Sequence, residues 1–349
     1  MKVKTWVYGL LFFLVLFSTD ASAQNGQLLK DRLKERLKER RAGQADEPAQ
    51  GLKAKLVPQL PQHTMHEILV DGNPRTYLVH LPPKYDPKTK LPLVLAFHGG
   101  GGNSQNMVHM SGFSDKADAE NFIVVYPNGS GRFGDFLLTY NALGCCEYAM
   151  EHEIDDVQFV SLLIDKLVAE WAVDPTRVFA TGFSNGACLS HLLAAEIPEK
   201  LAAIAPVAGA IFESTPQPKG KVPVLIVHGE ADTAVPVGGG NSQREMITRK
   251  QSQPFRSVSD AVEYWVKVNG CQLTPIETTD GKITRKNFAK DKSSTSVELT
   301  MVKDGLHSWP GGEKGREAAD APSTDLNATD EIWEFFKRHR KEKIALSEK

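Results

Sequence analysis

Three side chains in this sequence have the types and order needed to move a proton to and from an attacking oxygen. Ser184 lies in Gly182-Phe183-Ser184-Asn185-Gly186, Asp232 in "VLIVHGEADTAVP" and His307 in "KDGLHSWPGG". A serine hydroxyl is a weak nucleophile until a base takes its proton. An imidazole base holds its useful tautomer when a carboxylate orients it. Serine, acid and histidine in that chain order are one known solution to the problem.

The glycine spacing around Ser184 is moderate evidence by itself. At an ordinary glycine frequency of about 7%, roughly one chain in eight carries it by accident. Its surroundings say more. Arg177–Thr181 reads as a strand and Ala187 onward as a helix. A serine on a sharp strand-to-helix turn needs neighbours without side chains. It then stands at a helix N-terminus, where free backbone N–H groups favour negative charge.

Four histidines follow Ser184: His191, His228, His307 and His339. His191 is two helical turns on and points away from the turn, and His228 ends a strand. His339 sits in the charged, solvated segment "FFKRHRKEK". His307 follows a strand in a glycine-flanked loop and is the best base. Glu230 and Asp232 are both candidate acids; Asp232 is favoured because it lies deeper in its loop, just before Val235-Pro236. Each residue alone also fits a loop hydrogen-bonder or a turn former. Their order, each at a strand end, favours the chemical reading.

An oxyanion needs N–H donors. "LAFHGGGGN" ends an apolar strand in glycines, so Gly99 and Gly100 can present N–H groups to a substrate oxygen, with the Asn185 N–H as the second donor. The loop lacks the Lys-Ser/Thr ending of a phosphate-binding loop. The acidic run "EHEIDD" at 151–156 lacks ordered calcium-ligand spacing, and capping of the next helix by Asp155 or Asp156 explains it more simply. The chemistry needs no metal and no organic cofactor.

These residues must be carried by a scaffold. The chain has 349 residues, 41% hydrophobic and 24% charged, with a net charge of −2. That composition is globular and gives no reason to propose nucleic acid or an anionic membrane as partner. Residues 1–23 read as a secretory signal peptide: a basic start, the apolar Trp6–Phe17, then Ala21-Ser22-Ala23. The mature chain is then secreted or periplasmic, with no integral membrane segment. Residues 24–60 read as a charged helix and linker, 61–342 as the catalytic domain and 343–349 as a tail. A hairpin is expected about Asp71-Gly72. Apolar strands at Leu93–Phe97, Phe122–Tyr126, Arg177–Thr181, Val224–Val227 and Val297–Val302 alternate with helices at Val157–Trp171, Ala187–Ala195 and Ala328–Arg340. The alternation predicts an α/β fold, a mostly parallel sheet with helices on both faces. Export would make Cys145, Cys146, Cys188 and Cys271 disulfide candidates. One of the adjacent Cys145 and Cys146 is expected to bridge elsewhere, and Cys188 also fits a buried free thiol.

The chain resembles the secreted polyhydroxybutyrate depolymerase-like and feruloyl esterase-like proteins of the α/β-hydrolase fold. The stretches that carry the resemblance include "LPLVLAFHGGGGN", "VVYPNG", "CC", "DPTRVFATGFSNG", "VPVLIVHGEADTAVP" and "LHSWPGG", and they extend over roughly residues 64–340. The resemblance implies that Ser184, Asp232 and His307 form the triad and that Trp309 is an aromatic at the site. "GACLS" after the serine and the loop "GSGRFGDFLLTYNALGCC" depart from the family pattern. Phe133, Phe136 and Tyr140 in that loop are candidate substrate contacts, although packing of the loop explains them nearly as well. The expected substrate is a small-molecule or oligosaccharide ester, of feruloyl or acetyl type. A hydroxybutyrate oligomer is the alternative, followed by a peptide for a serine peptidase of the same fold, or a ligand for a binding protein with an inert site.

Overall fold

The structure is a computed structural model and describes residues 63–289 and 296–341. The expected leader, the charged helix and linker, and the tail at 343–349 lie outside the described residues. In chain order the elements are β1 (Thr64–Val70), β2 (Asn73–His80), β3 (Leu91–Phe97), α1 (Ser104–Ser111), α2 (Phe113–Glu120), β4 (Ile123–Pro127), α3 (Glu147–Glu151), α4 (Asp156–Glu170) and β5 (Val173–Phe183). Then come α5 (Asn185–Glu196), β6 (Ala203–Val207), β7 (Val224–Gly229), α6 (Glu245–Thr248), α7 (Val258–Asn269), β8 (Ile276–Asp280), β9 (Ile283–Asn287), β10 (Val297–Val302) and α8 (Ala328–Lys337).

Among the described residues the strands form one 10-stranded sheet in the order β1-β2-β4-β3-β5-β6-β7-β10-β9-β8. From β4 to β10 every neighbouring pair runs parallel. Antiparallel hairpins extend both edges, β1–β2 on one side and β9–β8 on the other. The parallel strands are continuous apolar runs because both of their faces are covered. In β3, Leu93, Leu95 and Phe97 pack with α4, α5 and α7, while Val94 and Ala96 pack with α1, α2 and α8. The expected hairpin turns at Asp71-Gly72, both at positive φ. Strand β6, helices α1, α2 and α7, and the β8–β9 hairpin were not anticipated from the sequence.

The run at 151–156 divides its work. Asp155 caps α4, its carboxylate accepting from the Gln158 N–H at 2.8 Å. Asp156 is buried and accepts from Arg75 Nη2 at 2.5 Å and from the Asn141 N–H at 2.7 Å. Burial pushes its carboxyl above the usual range, and the Arg75 guanidinium partly offsets this. Arg75 also donates to the Asn128 carbonyl and lies over the Phe159 ring, 4.0 Å from its centroid. The pair thus joins β2, the loop after β4 and α4. Asp156→Ala leaves a buried guanidinium without its counter-ion, and such losses cost about 3–5 kcal/mol. Urea denaturation of that variant should show a loss of this size; a change below about 1 kcal/mol would contradict the role given to the pair.

Candidate active site

Ser184 sits between β5 and α5 with φ 55° and ψ −116°. That left-handed backbone lifts the side chain clear of both elements. Gly182 and Gly186 make the turn possible. A Cβ at Gly182 would lie 2.5 Å from the Gly186 carbonyl, and one at Gly186 would lie 2.5 Å from the Phe97 oxygen. The Ser184 N–H donates to the Val207 carbonyl at 3.0 Å and so ties the turn to the end of β6.

Three loops at the carboxyl ends of the strands converge here. His307 Nε2 lies 2.9 Å from Ser184 Oγ, and His307 Nδ1 lies 2.7 Å from Asp232 Oδ2. The other Asp232 oxygen accepts from the N–H groups of Ala234 and Val235 at 2.8 and 2.9 Å. Burial alone would raise the Asp232 carboxyl. The neighbouring His307 and the hydrogen bonds it receives hold it below the ordinary carboxylate range. It is therefore a fixed anion that orients His307 with its Nδ1 protonated, leaving Nε2 to accept the serine proton. The Phe183 ring packs against the imidazole, with centroids 4.7 Å apart.

The glycine loop is aimed by His98. Its Nδ1–H donates to the Gly99 carbonyl at 2.8 Å, and its Nε2 accepts from the Gly129 N–H at 3.0 Å. The Gly102 N–H holds the same Gly99 carbonyl at 3.0 Å. In a trans peptide the N–H points opposite to the C=O. Pinning the Gly99 oxygen therefore turns the Gly100 N–H away from His98. Gly100 lies beside Asn185, since a Cβ on Gly100 would be 3.6 Å from that of Asn185. The expected donors, Gly100 and Asn185, are thus adjacent, and Gly99 contributes through its carbonyl.

The Asn185 side chain does work that the sequence did not disclose. Buried beneath the turn, it accepts from the Tyr140 N–H at 2.8 Å and donates to the carbonyls of Tyr140 and Cys145 at 3.0 Å each. A second clasp was also missed. Asp320 accepts from the His307 N–H at 3.0 Å and pairs with Arg244, whose Nε donates to Thr233 Oγ1 at 3.0 Å. It links the acid loop to the base loop across residues remote in sequence, where no local pattern signals it.

Several expectations need correction. Trp309 is buried in the core, edge-on to Phe113, and its indole N–H donates to Thr329 Oγ1 at 3.0 Å. Tyr140 is also buried, its hydroxyl donating to the Pro127 carbonyl at 2.7 Å and its ring edge-on to Phe97. Both pack the scaffold instead of facing a substrate. Phe133 and Phe136 are 63% and 64% exposed, opposite each other across a turn. Leu137, near Gly101, and Leu306, before His307, add exposed apolar surface that was not anticipated. Cys145 is joined to Cys146 itself, across a cis peptide bond, so neither makes the expected bridge elsewhere. Cys188 is a buried free thiol whose pKa burial pushes up to about 11. His339 is half-buried against Phe335, with Nε2 3.2 Å from Ser296 Oγ, and is not simply solvated.

Comparison with known proteins places this chain among esterases. A family model described as Esterase PHB depolymerase matches residues 75–219. NocK of Nocardia uniformis subsp. tsuyamanensis, a protein assigned as an esterase, is 30% identical over 78% of this chain and 82% of its own length. Feruloyl esterase B of Piromyces equi is 26% identical over 69% of this chain, which spans 44% of that protein. Among solved structures, an acetyl xylan esterase from Aspergillus awamori superposes with a TM-score of 0.53 over 79% of this chain and 99% of its own, at 15% identity. The shared fold is that of the α/β hydrolases.

Burial pushes the His98 pKa from 6.5 down to about 4, so the folded protein holds it neutral where the unfolded chain would be protonated. The unfolded state then binds more protons, so stability rises with pH and is lost as the pH falls. The contribution of His98 should be complete above pH 6.5 and drain away towards pH 4, at up to about 1.4 kcal/mol per pH unit. Urea unfolding at pH 7.5 and 5.0 measures it. His98→Asn, which keeps a donor for Gly99, should show a shallower dependence; equal slopes in the two proteins would show that His98 titrates normally.

Proposed function

Because the chain belongs to the Esterase PHB depolymerase family and is a carboxylic ester hydrolase, we propose that it works through an acyl-enzyme on Ser184, with His307 as base and Asp232 as its orienting acid. The observation that carries this is the unbroken hydrogen-bond chain from Ser184 Oγ through His307 to Asp232 Oδ2. His307 accepts the serine proton as Oγ attacks the ester carbonyl. The N–H groups of Gly100 and Asn185 hold the oxyanion. His307 then protonates the departing alcohol, and water attacks the acyl group with the same base.

For the substrate we favour feruloyl- or acetyl-type esters on fragments of plant polysaccharide, met outside the cytoplasm. The leader-like residues 1–23 support the location. Among the described residues, no helix is long and apolar enough to cross a membrane. The exposed Phe133, Phe136 and Leu137 lie on the loop that Asn185 clasps beside the serine. Aromatic faces suit cinnamoyl rings and sugar faces, each contact adding about 0.5–1.5 kcal/mol beyond area. The name of the Piromyces equi relative supports a feruloyl group. A hydroxybutyrate oligomer is the second reading, favoured by the description of the family model.

A fluorophosphonate probe should label Ser184, and Ser184→Ala should abolish labelling and lower ester turnover by about 10³-fold or more. Residual activity above about a tenth of wild type would end the assignment. Comparing kcat/KM on methyl ferulate, an acetylated xylo-oligosaccharide and a hydroxybutyrate trimer decides the substrate: a tenfold lead for the trimer would overturn the plant-ester reading. Phe133→Ala with Phe136→Ala should lower kcat/KM on methyl ferulate by about tenfold, two contacts at about 0.7 kcal/mol each. An unchanged value would take those rings out of the binding site.

A further inference from the structure

Two histidines that the mechanism leaves idle lie buried behind the acid loop. His191 is on α5, and Trp265 of α7 donates its indole N–H to His191 Nδ1 at 2.9 Å. An imidazole that accepts at Nδ1 carries its proton on Nε2. That Nε2–H is buried and has no partner among the described residues. His228 is the mirror case. Its Nε2 lies 2.8 Å from the Val235 carbonyl, which can only accept, so the proton is on Nε2. Its Nδ1 is then a bare lone pair, buried and also without a partner among the described residues.

Strand alternation puts the orphan donor and the orphan acceptor on the same side of the sheet. Within β7, Val224 and Ile226 face the cluster that contains Trp265 and the buried residues of α5, and His228 continues that alternation. Buried polar groups are rarely left unpaired, and an internal water commonly joins such groups. The front of His228 is spoken for: the same Nε2 that reaches Val235 lies 3.5 Å from Asp232 Oδ2, the oxygen that faces His307.

We propose that His228 is a positioning residue for Asp232, its Nε2–H closing the loop from β7 to Val235 beside the carboxylate, and its Nδ1 joined through buried water to His191 Nε2–H. This rests on the reading of Asp232 as the triad acid. The loop that carries Asp232 is held twice, by its own turn at Ala234 and Val235 and by the His228–Val235 bond across its base. His228 must also be neutral. A cationic imidazole there would compete with His307 for the Asp232 charge and weaken the base. Burial pushes the pKa of His228 down, and that of His191 to about 3, which favours the neutral form of both.

The test compares His228→Leu with His228→Gln, which keeps an N–H within reach of Val235. H228L should lower kcat about 10- to 100-fold with KM within about twofold, as expected for a misplaced catalytic group. H228Q should recover kcat to within about fivefold of wild type. Wild-type kcat in H228L, or equal losses in two folded variants, would overturn the proposal. Long-range ¹H–¹⁵N spectra of the wild-type enzyme give a readout that survives misfolded variants. They should show both histidines as neutral Nε2–H tautomers from pH 5.5 to 8; an Nδ1–H or protonated His228 would refute it. Asp232→Asn, assayed in parallel, separates this proposal from its premise. Activity retained there removes the triad reading, whereas activity retained in H228L alone removes only the role of His228.

Discussion

Backbone meets backbone where α5 begins. A methyl group on Gly186 would sit 2.5 Å from the Phe97 oxygen and 2.6 Å from that of His98. No side chain fits there, and none of the surroundings is a flexible tip that could move aside. That contact fixes the end of β3 against the start of the helix, and the rest of the site inherits the distance. It puts the residue after the serine beside the glycine loop, so donors from two distant segments can address one oxygen. It also buries α5, whose residues from Asn185 to Ala195 are covered on all sides. The helix behaves as an axle of the sheet instead of an amphipathic surface element.

Around that fixed point, polar side chains do the aligning. Asn185 satisfies three backbone groups of the loop at 140–145, His98 satisfies two in the glycine turns, and Asp320 with Arg244 holds the base loop to the acid loop. The bonds of Asn185 and His98, and that of Asp320 to the His307 N–H, are to main chain, so each fixes where a peptide unit points, while Arg244 ties Asp320 to the Thr233 side chain. Buried polar networks are costly when half satisfied and rigid when complete. The site uses them where a purely apolar interior would leave loop orientation undetermined.

The meeting of Ser184, Asp232 and His307 was legible because their signals are local: glycines at fixed offsets, and apolar strands that stop just before each residue. The parallel sheet was legible for the same reason. What stayed hidden depends on remote partners. Trp309 follows the base by two residues, yet only the packing of Phe113 and Thr329 shows that its ring turns inward. Asn185 looks like part of the serine motif, and its side chain finds its partners some 40 residues upstream. Strand β6 is short, rich in alanine and contains Pro206, so it lacks the usual β signature. Strand β8, fully exposed at the sheet edge, shows no apolar alternation to read.

The backbone at Ser184 has one more consequence, for how such a protein can drift. A positive φ strains every residue but glycine, by on the order of 1 kcal/mol or more. On the proposed role of Ser184, the use of its oxygen is what would keep a serine there. In a lineage released from ester cleavage, purifying selection on activity would lapse while selection on folding would remain. The most favoured single substitution at this position would then be glycine, and the surrounding tight packing would accept it unchanged. A glycine in place of Ser184, within an otherwise intact turn, is therefore the mark to expect in retired copies of this scaffold. Their hydrophobic interior and their loop clasps would outlast the chemistry.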